Sequence, residues 1–374
     1  PAGALRAPGA YPPVLRHSRY GGRDMEGLVT GANPDPMPGP LDRARDRDAI
    51  AAGLRHCASH GITGLHNMDG NLYTAELLEE LDGEGALLCR TEVPFHLKSG
   101  DPLDRLEEAA EMRRRFAGDR LWTNRVKMFM DGVIESRTAL MLRPYPGTDH
   151  AGVPVFAPDH FDEACVRIDA MGMQIATHAI GDLAIRRTLD GYERARAVNG
   201  ARDARHRVEH IEVLHPDDLP RFAALGVVAS IQPGHAPRGH IFPEHGLDQV
   251  LHPDQIPMAF AWQTIRESGA RVCFSTDWPV IQVDVMDSVR AAAGPREMPA
   301  PWVDQTQTLE DTLRAYTLDN AWVEFAEDRK GRLAPGYLAD IAVMDHDLFA
   351  LEPARLNTAR AALTVMDGRI TWEA

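Results

Sequence analysis

Four residues of this 374-residue chain have the types and spacing to hold a divalent metal. They are Lys127 in RVKMFMDG, His178 in IATHAIGD, His210 in RVEHIE and Asp277 in CFSTDWP. Imidazole nitrogens and carboxylate oxygens suit Zn²⁺ and similar ions. A lysine can join such a set if its neutral amine adds CO₂, giving an anionic carbamate able to bridge two metals. Burial and nearby cations favour the neutral amine this addition requires. Singly, each residue has a plainer role. A histidine ending a strand is commonly a hydrogen-bonded core or rim residue, Lys127 can pair with Asp131 or Glu135, and an Asp before Trp-Pro often caps a turn. The case for chemistry is their shared position, at or just past the C-terminal ends of predicted strands, where barrel enzymes place their catalytic groups. Their separations are 51, 32 and 67 residues. With about 30–40 residues per β/α unit, these correspond to one unit with a long loop (134–156), one unit, and two units. Neighbouring strands would then point all four groups into one mouth.

The positioning elements follow from the hydrophobic pattern. β-type runs at 61–66, 89–95, 125–130, 174–178, 207–211, 227–231 and 271–275 alternate with helical patterns such as 103–116, 161–171, 182–198 and 216–225. Gly61, Gly172 and Gly226 each precede a run, the usual helix stop. Such alternation predicts parallel strands covered by helices, as a doubly wound sheet or a (β/α)8 TIM-type barrel. No glycine-rich dinucleotide loop and no phosphate-binding loop follows any strand, so nucleotide-binding versions lose support. Seven strands are one short of a closed barrel. After a helix at 309–325, the turn signals Pro335-Gly336 and Asp367-Gly368 separate β-type runs with no helix between them. The expected division is therefore 1–325 for the α/β part and 326–374 for a small β appendage. Residues 1–45, rich in Gly, Pro and Arg, are expected to be irregular.

Composition narrows the function. A formal charge of −15 repels phosphate backbones and anionic lipid, which argues against nucleic acid and membrane partners. No apolar run approaches the roughly 18 residues of a membrane helix, and the opening PAGALRAPGAYPP reads as no signal peptide. Four scattered cysteines without a CxxC pair argue against a disulfide scaffold or zinc ribbon and predict a cytoplasmic location. The expected partner is a small-molecule substrate; self-association into a homo-oligomer is left open.

The motifs GITGLHN, VKMFMDGVIESRTALMLRPY, ATHAIGD, RHRVEHIEVLHPDD, FSTDWPV and KGRLAPGYLADIAVMD together resemble the amidohydrolase superfamily. The likeness is to its family 3 branch, which includes N-substituted formamide deformylase-like proteins, and runs from about residue 45 to the end. The resemblance implies a (β/α)8 barrel carrying a β-sandwich formed from both chain ends. It implies Lys127 as the carboxylated bridging lysine and His178 and His210 as ligands of the more buried metal. Asp277 would bind the other metal and shuttle the proton. One departure is that the family's first barrel strand ends in His-x-His, and no such pair follows an early strand here. His56 and His60 flank Cys57 on a predicted helix, and His17 stands alone. The expectation is a chain shown without its N-terminal region, including strand one. Lys127, His178 and His210 would still give three ligands plus an open position, the pattern of a catalytic zinc site.

Further candidates for substrate contact are His66, beside Asn67 at the end of the first run, Arg137, His235 in QPGHAPRGH, which also holds His240, and Trp278 with Pro279. Arg137 could instead brace Asp131. Glu209, next to His210, is expected on the opposite face of its strand with a structural role. The expected activity is hydrolysis of an amide or related C–N bond, other than a peptide bond, by a metal-bound hydroxide. Asp277 would pass the proton to the leaving amine. Two alternatives are a mononuclear deaminase-like hydrolase, against which Lys127 argues, and a catalytically impaired barrel domain acting as a subunit. Substrate identity would lie in loops 134–156 and 235–255, which carry no readable code.

Overall fold

The seven β-type runs are strands in the computed structural model, which describes residues 40–237 and 246–374. With Leu121–Trp122, which lies outside those runs, there are nine short strands: β1 (Gly64–His66), β2 (Arg90–Glu92), β3 (Phe95–His96), β4 (Leu121–Trp122), β5 (Arg125–Phe129), β6 (Gln174–Ala179), β7 (Arg207–His210), β8 (Val228–Ile231) and β9 (Val272–Phe274). They pair in parallel in the orders β1-β2-β4 and β3-β5-β6-β7-β8-β9. β2 and β3 are one extended run broken at Val93-Pro94, where proline has no N–H for a ladder. The parallel break between β4 and β5 is pinned by Thr123, whose Oγ1 donates to the Val93 carbonyl at 2.8 Å. The strand order is sequential, without the reversal a doubly wound sheet requires. Among the described residues no pairing joins β9 to β1. Strands β5 to β9 are buried almost throughout, as a parallel sheet covered on both faces demands.

The covering helices include α1 (Pro40–Ala58), α2 (Leu72–Gly83), α3 (Leu106–Arg115), α4 (Pro158–Ala170), α5 (Asp182–Asn199) and α6 (Leu219–Leu225). Gly226 closes α6 at φ 68°, a left-handed position that costs glycine nothing. Two expectations are corrected. Residues 40–45 belong to α1 rather than to an irregular region; residues 1–39, with His17, and 238–245, with His240, lie outside the described residues. The helix expected at 309–325 is two helices, Leu309–Tyr316 and Leu318–Val323. Thr317 breaks it, with φ −123° and ψ −80°, while its Oγ1 bonds back to the Leu313 carbonyl at 2.7 Å. No helix among the described residues is long and apolar enough to cross a membrane.

The C-terminal strands β10 (Ile341–Met344), β11 (Ala361–Met366) and β12 (Arg369–Glu373) form a separate antiparallel sheet. It is fastened to the end of α1 by Thr364, whose Oγ1 donates to the Ala58 carbonyl at 2.7 Å. It is fastened to β2 by Arg90, which pairs with Asp340 at 2.6 Å and Asp367 at 2.8 Å.

A buried charge network runs across the strands. Arg125 pairs with Glu92 at 2.7 Å and Arg207 with Glu209 at 2.6 Å. Arg207 Nη1 donates to His66 Nδ1 at 2.9 Å, so His66 carries its proton on Nε2, which faces Glu324 at 3.0 Å. Lys330 completes the set at 2.5 Å from Glu324. Burial alone would raise the Glu324 carboxyl, but Lys330 and His66 outweigh it and hold it at about 2. A depressed carboxylate contributes stability above its unfolded value of roughly 4.3, and loses it as pH falls through about 2. Glu324→Gln is expected to cost about 3 kcal/mol at pH 7, because it leaves the half-buried Lys330 without its anion. Urea midpoints at pH 7 and pH 3 should show a smaller acid loss in the variant than in the parent chain.

Candidate metal centre

Strand register decides which side chains share a face. His96 pairs with Lys127, Lys127 with Ala176, Phe129 with His178 and His178 with Glu209. Paired residues on parallel neighbours point the same way, so His96, Lys127, Phe129, His178 and Glu209 line one face. This corrects the expectation for Glu209: it shares the face of the site, its charge paired with Arg207 and its carboxylate hydrogen-bonded by Ser230. By the same alternation His210 should turn away. It does not, because His210 and Ile211 adopt φ of 79° and 55°. Left-handed backbone at non-glycine residues is strained, and here it swings His210 back among the other imidazoles.

The result is an arc of rings at the C-terminal ends of the strands. His96 lies 5.2 Å from Phe129, Phe129 5.1 Å from His178, His178 4.5 Å from His210, and His210 5.9 Å from His235, centroid to centroid. His235 Nε2 stands 3.6 Å from Asp277 Oδ2. Asp277 too is left-handed, at φ 58°. Lys127, 2% exposed, rests its Nζ 4.2 Å from the Phe129 ring centre and makes no ion pair among the described residues. The pairing with Asp131 or Glu135 is therefore absent.

Electrostatics suits these groups to a cation. Burial pushes Lys127 down to about 8. Burial, with Lys127 adding to it, pushes His178 down to about 3, and His210 and His235 are also lowered by burial. Neutral imidazoles are what a metal requires. Burial raises the Asp277 carboxyl, with His235 and Lys127 pulling it back. His178 Nε2 faces the Gly132 carbonyl at 3.0 Å; a carbonyl only accepts, so the lone pair sits on Nδ1. His210 Nδ1 is buried with no hydrogen-bond partner, a costly state unless a ligand satisfies it. Ligand atoms of His210, His235 and Asp277 all lie within 4.8 Å of one another. The donor set present thus fits a divalent ion.

Residues flanking the histidines hold the loop after β5 against the end of β6. Asp131 accepts backbone N–H groups from Leu140 at 2.8 Å, Ile180 at 3.0 Å and Gly181 at 2.9 Å. Asp182 accepts from Leu142 at 2.7 Å. A Cβ on Gly181 would lie 2.2 Å from the Leu140 carbonyl oxygen, so this approach requires glycine.

The expected substrate contacts scatter. His66 sits in the buried charge network, its Nδ1 accepting from Arg207 and its Nε2 facing Glu324. Trp278 leans on α1, 5.6 Å from His56 and against Gly53, rather than on the histidines. Arg137 does not brace Asp131; it is half-buried, at φ 57°, and unpaired among the described residues. His235 joins the centre itself. Sequence reasoning missed His96, whose Nδ1 meets Asp69 at 3.2 Å and whose Nε2 is buried without a partner. Its only signal was a histidine directly after the second β-type run.

These features define an α/β protein with a candidate metal centre, and comparison with known proteins gives the family. The sequence pattern of the amidohydrolase family, family 3, matches residues 5–372, and the chain belongs to that family. It is 28% identical over 373 residues to the amidohydrolase YtcJ of Bacillus subtilis, covering 92% of this chain and 68% of that protein. It is 24% identical over 374 residues to N-substituted formamide deformylase of Arthrobacter pascens, covering 94% of this chain and 67% of the relative. Among solved structures, a metal-dependent hydrolase of Pyrococcus horikoshii superposes with a TM-score of 0.70 at 27% identity. That match covers 83% of this chain and 62% of the other, so the chain spans under two thirds of that hydrolase.

Proposed function

We propose that this chain is a metal-dependent hydrolase cleaving an amide or related C–N bond, other than a peptide bond, in a small molecule. The sequential parallel ladder is read as a (β/α)8 barrel, and residues 326–374 as a β-sandwich portion. The observation that carries the reading is the arc of neutral imidazoles ending in Asp277, with His210 Nδ1 buried and unbonded. Lys127, His178, His210 and Asp277 would hold the ion or ions, and imidazole with carboxylate favours zinc. When bound, such an ion supplies Lewis acidity toward a carbonyl oxygen and toward water. Asp277 moves the proton, taking it from the attacking water and handing it to the leaving nitrogen. Its side chain keeps 30% of its surface exposed, so it can meet a substrate, while burial makes it more basic than a free aspartate. The Arg137 guanidinium, unpaired among the described residues, is a cation in the loop after β5 available to a substrate carboxylate or carbonyl. The relative named for deformylating N-substituted formamides supports the choice of bond.

The test combines metal analysis with a panel of N-acyl and N-formyl amines. Chelation is expected to remove metal and activity together, and Zn²⁺ to restore both. Full activity in metal-free protein, or inertness of the zinc-loaded protein toward every C–N substrate, would overturn the reading.

A further inference from the structure

His235 follows β8, in a short turn at Pro233–His235, and no part of the proposed mechanism uses it. We propose that His235 is a metal ligand, and that His210, His235 and Asp277 form one three-residue cation site across the ends of β7, β8 and β9. This rests on the reading of the centre as metal-binding and says which residues hold an ion there.

Three observations carry it. The first is distance. His235 Nε2 and Asp277 Oδ2 stand 3.6 Å apart, too far for a hydrogen bond of normal length. Two donors about 2.0–2.1 Å from one tetrahedral zinc stand about 3.3–3.4 Å apart, so the gap matches a pair sharing an ion. With His210 included, all three donors fall within 4.8 Å of one another.

The second is orientation. Glu212 Oε1 lies 3.6 Å from the other ring nitrogen, His235 Nδ1. At that gap the carboxyl makes no hydrogen bond to the ring, but it stands behind the nitrogen that faces away from Asp277, where a closer approach would fix the ring for a metal. Glu212 is itself buried, and its backbone carbonyl accepts the Phe260 N–H at 2.9 Å, which anchors the segment after β7.

The third is backbone. His210 and Asp277, the two partners of His235, are both left-handed. The strain at each turns its side chain toward the same point, and the nearly parallel His210 and His235 rings, 12° apart in plane, flank it. His178 takes no part in this cluster, so the site has a ligand set separable from one built on Lys127 and His178.

The experiment uses the full chain, Zn²⁺ and Co²⁺ as probes, and no substrate. His235→Gln is expected to weaken binding of one Zn²⁺ by at least about 100-fold, by competition against a chromophoric chelator. Glu212→Gln should weaken it by about 10-fold. His235→Cys supplies a positive signal: in the Co²⁺-loaded protein a thiolate-to-cobalt charge-transfer band should appear in the near-ultraviolet, absent from the parent chain. That band needs only the folded variant, so it decides the matter even if His235→Gln fails to fold. Co²⁺ bound by His235→Cys without the band, or Zn²⁺ affinity unchanged in His235→Gln, would overturn the assignment while leaving the hydrolase reading intact. A parent chain that binds neither ion would overturn both.

Discussion

Asp277→Asn is expected to lower kcat by about 10³-fold on whichever C–N substrate the panel identifies, in line with the 10²–10⁴-fold range for a positioned acid–base group. The amide keeps the size of the carboxylate and one oxygen able to face a cation, but it cannot take a proton from water. Asp277 is placed for that transfer by its left-handed backbone and by a side chain that still reaches solvent. The variant loses both a ligand and a base, and metal content separates the two effects. Activity that falls only in proportion to lost zinc would make Asp277 a ligand alone. Zinc retained with activity lost would make it the proton carrier. Activity within about 3-fold of the parent chain, with full zinc, would remove Asp277 from the mechanism.

The sequence carried the strands because a parallel sheet buried on both faces needs apolar runs, and their ends could be counted from the spacing of Lys127, His178, His210 and Asp277. It could not carry the face each side chain takes once the backbone departs from the regular strand. Strict alternation sets Glu209 and His210 on opposite faces, and the φ of 79° at His210 cancels that alternation. Nothing in RVEHIE marks a left-handed histidine. His66 shows a different limit. It ends a strand, as a site residue should, and its partners Arg207 and Glu324 are 141 and 258 residues away. A contact of that separation depends on how the sheet twists and leaves no local pattern. The motif residues Asp131, Gly181 and Asp182 lie between these cases. Their presence beside the catalytic candidates was legible, whereas their task, gripping the backbone of the loop after β5, required knowing where Leu140 passes.

Lys127→Ala is expected to abolish activity, and the reason lies in what a buried amine can become. Lys127 is 2% exposed, rests on Phe129 and has no ion pair among the described residues. A buried ammonium without a partner is costly, and burial brings its pKa down to about 8. At pH 7 about one amine in ten is then neutral, against roughly one in 2,500 for a lysine at the ordinary value near 10.4. The neutral amine adds CO₂ and releases a proton, and the product is a carboxylate on a lysine stem, beside imidazoles that hold cations. Loading should therefore rise as pH climbs through 8 and fall as the amine protonates below 7, read by intact mass in bicarbonate buffer. Cations stabilise the carbamate, so chelation should remove the added mass and the metal together. Short carboxylic acids can stand where the carbamate oxygens would, so acetate or propionate should restore part of the activity of Lys127→Ala and none to Asp277→Asn. Full activity of Lys127→Ala without added acid would leave a one-metal hydrolase held by the histidines and Asp277. In that case Lys127 would be a neutral amine packed on Phe129, and its mass would stay unmodified at every pH and metal load.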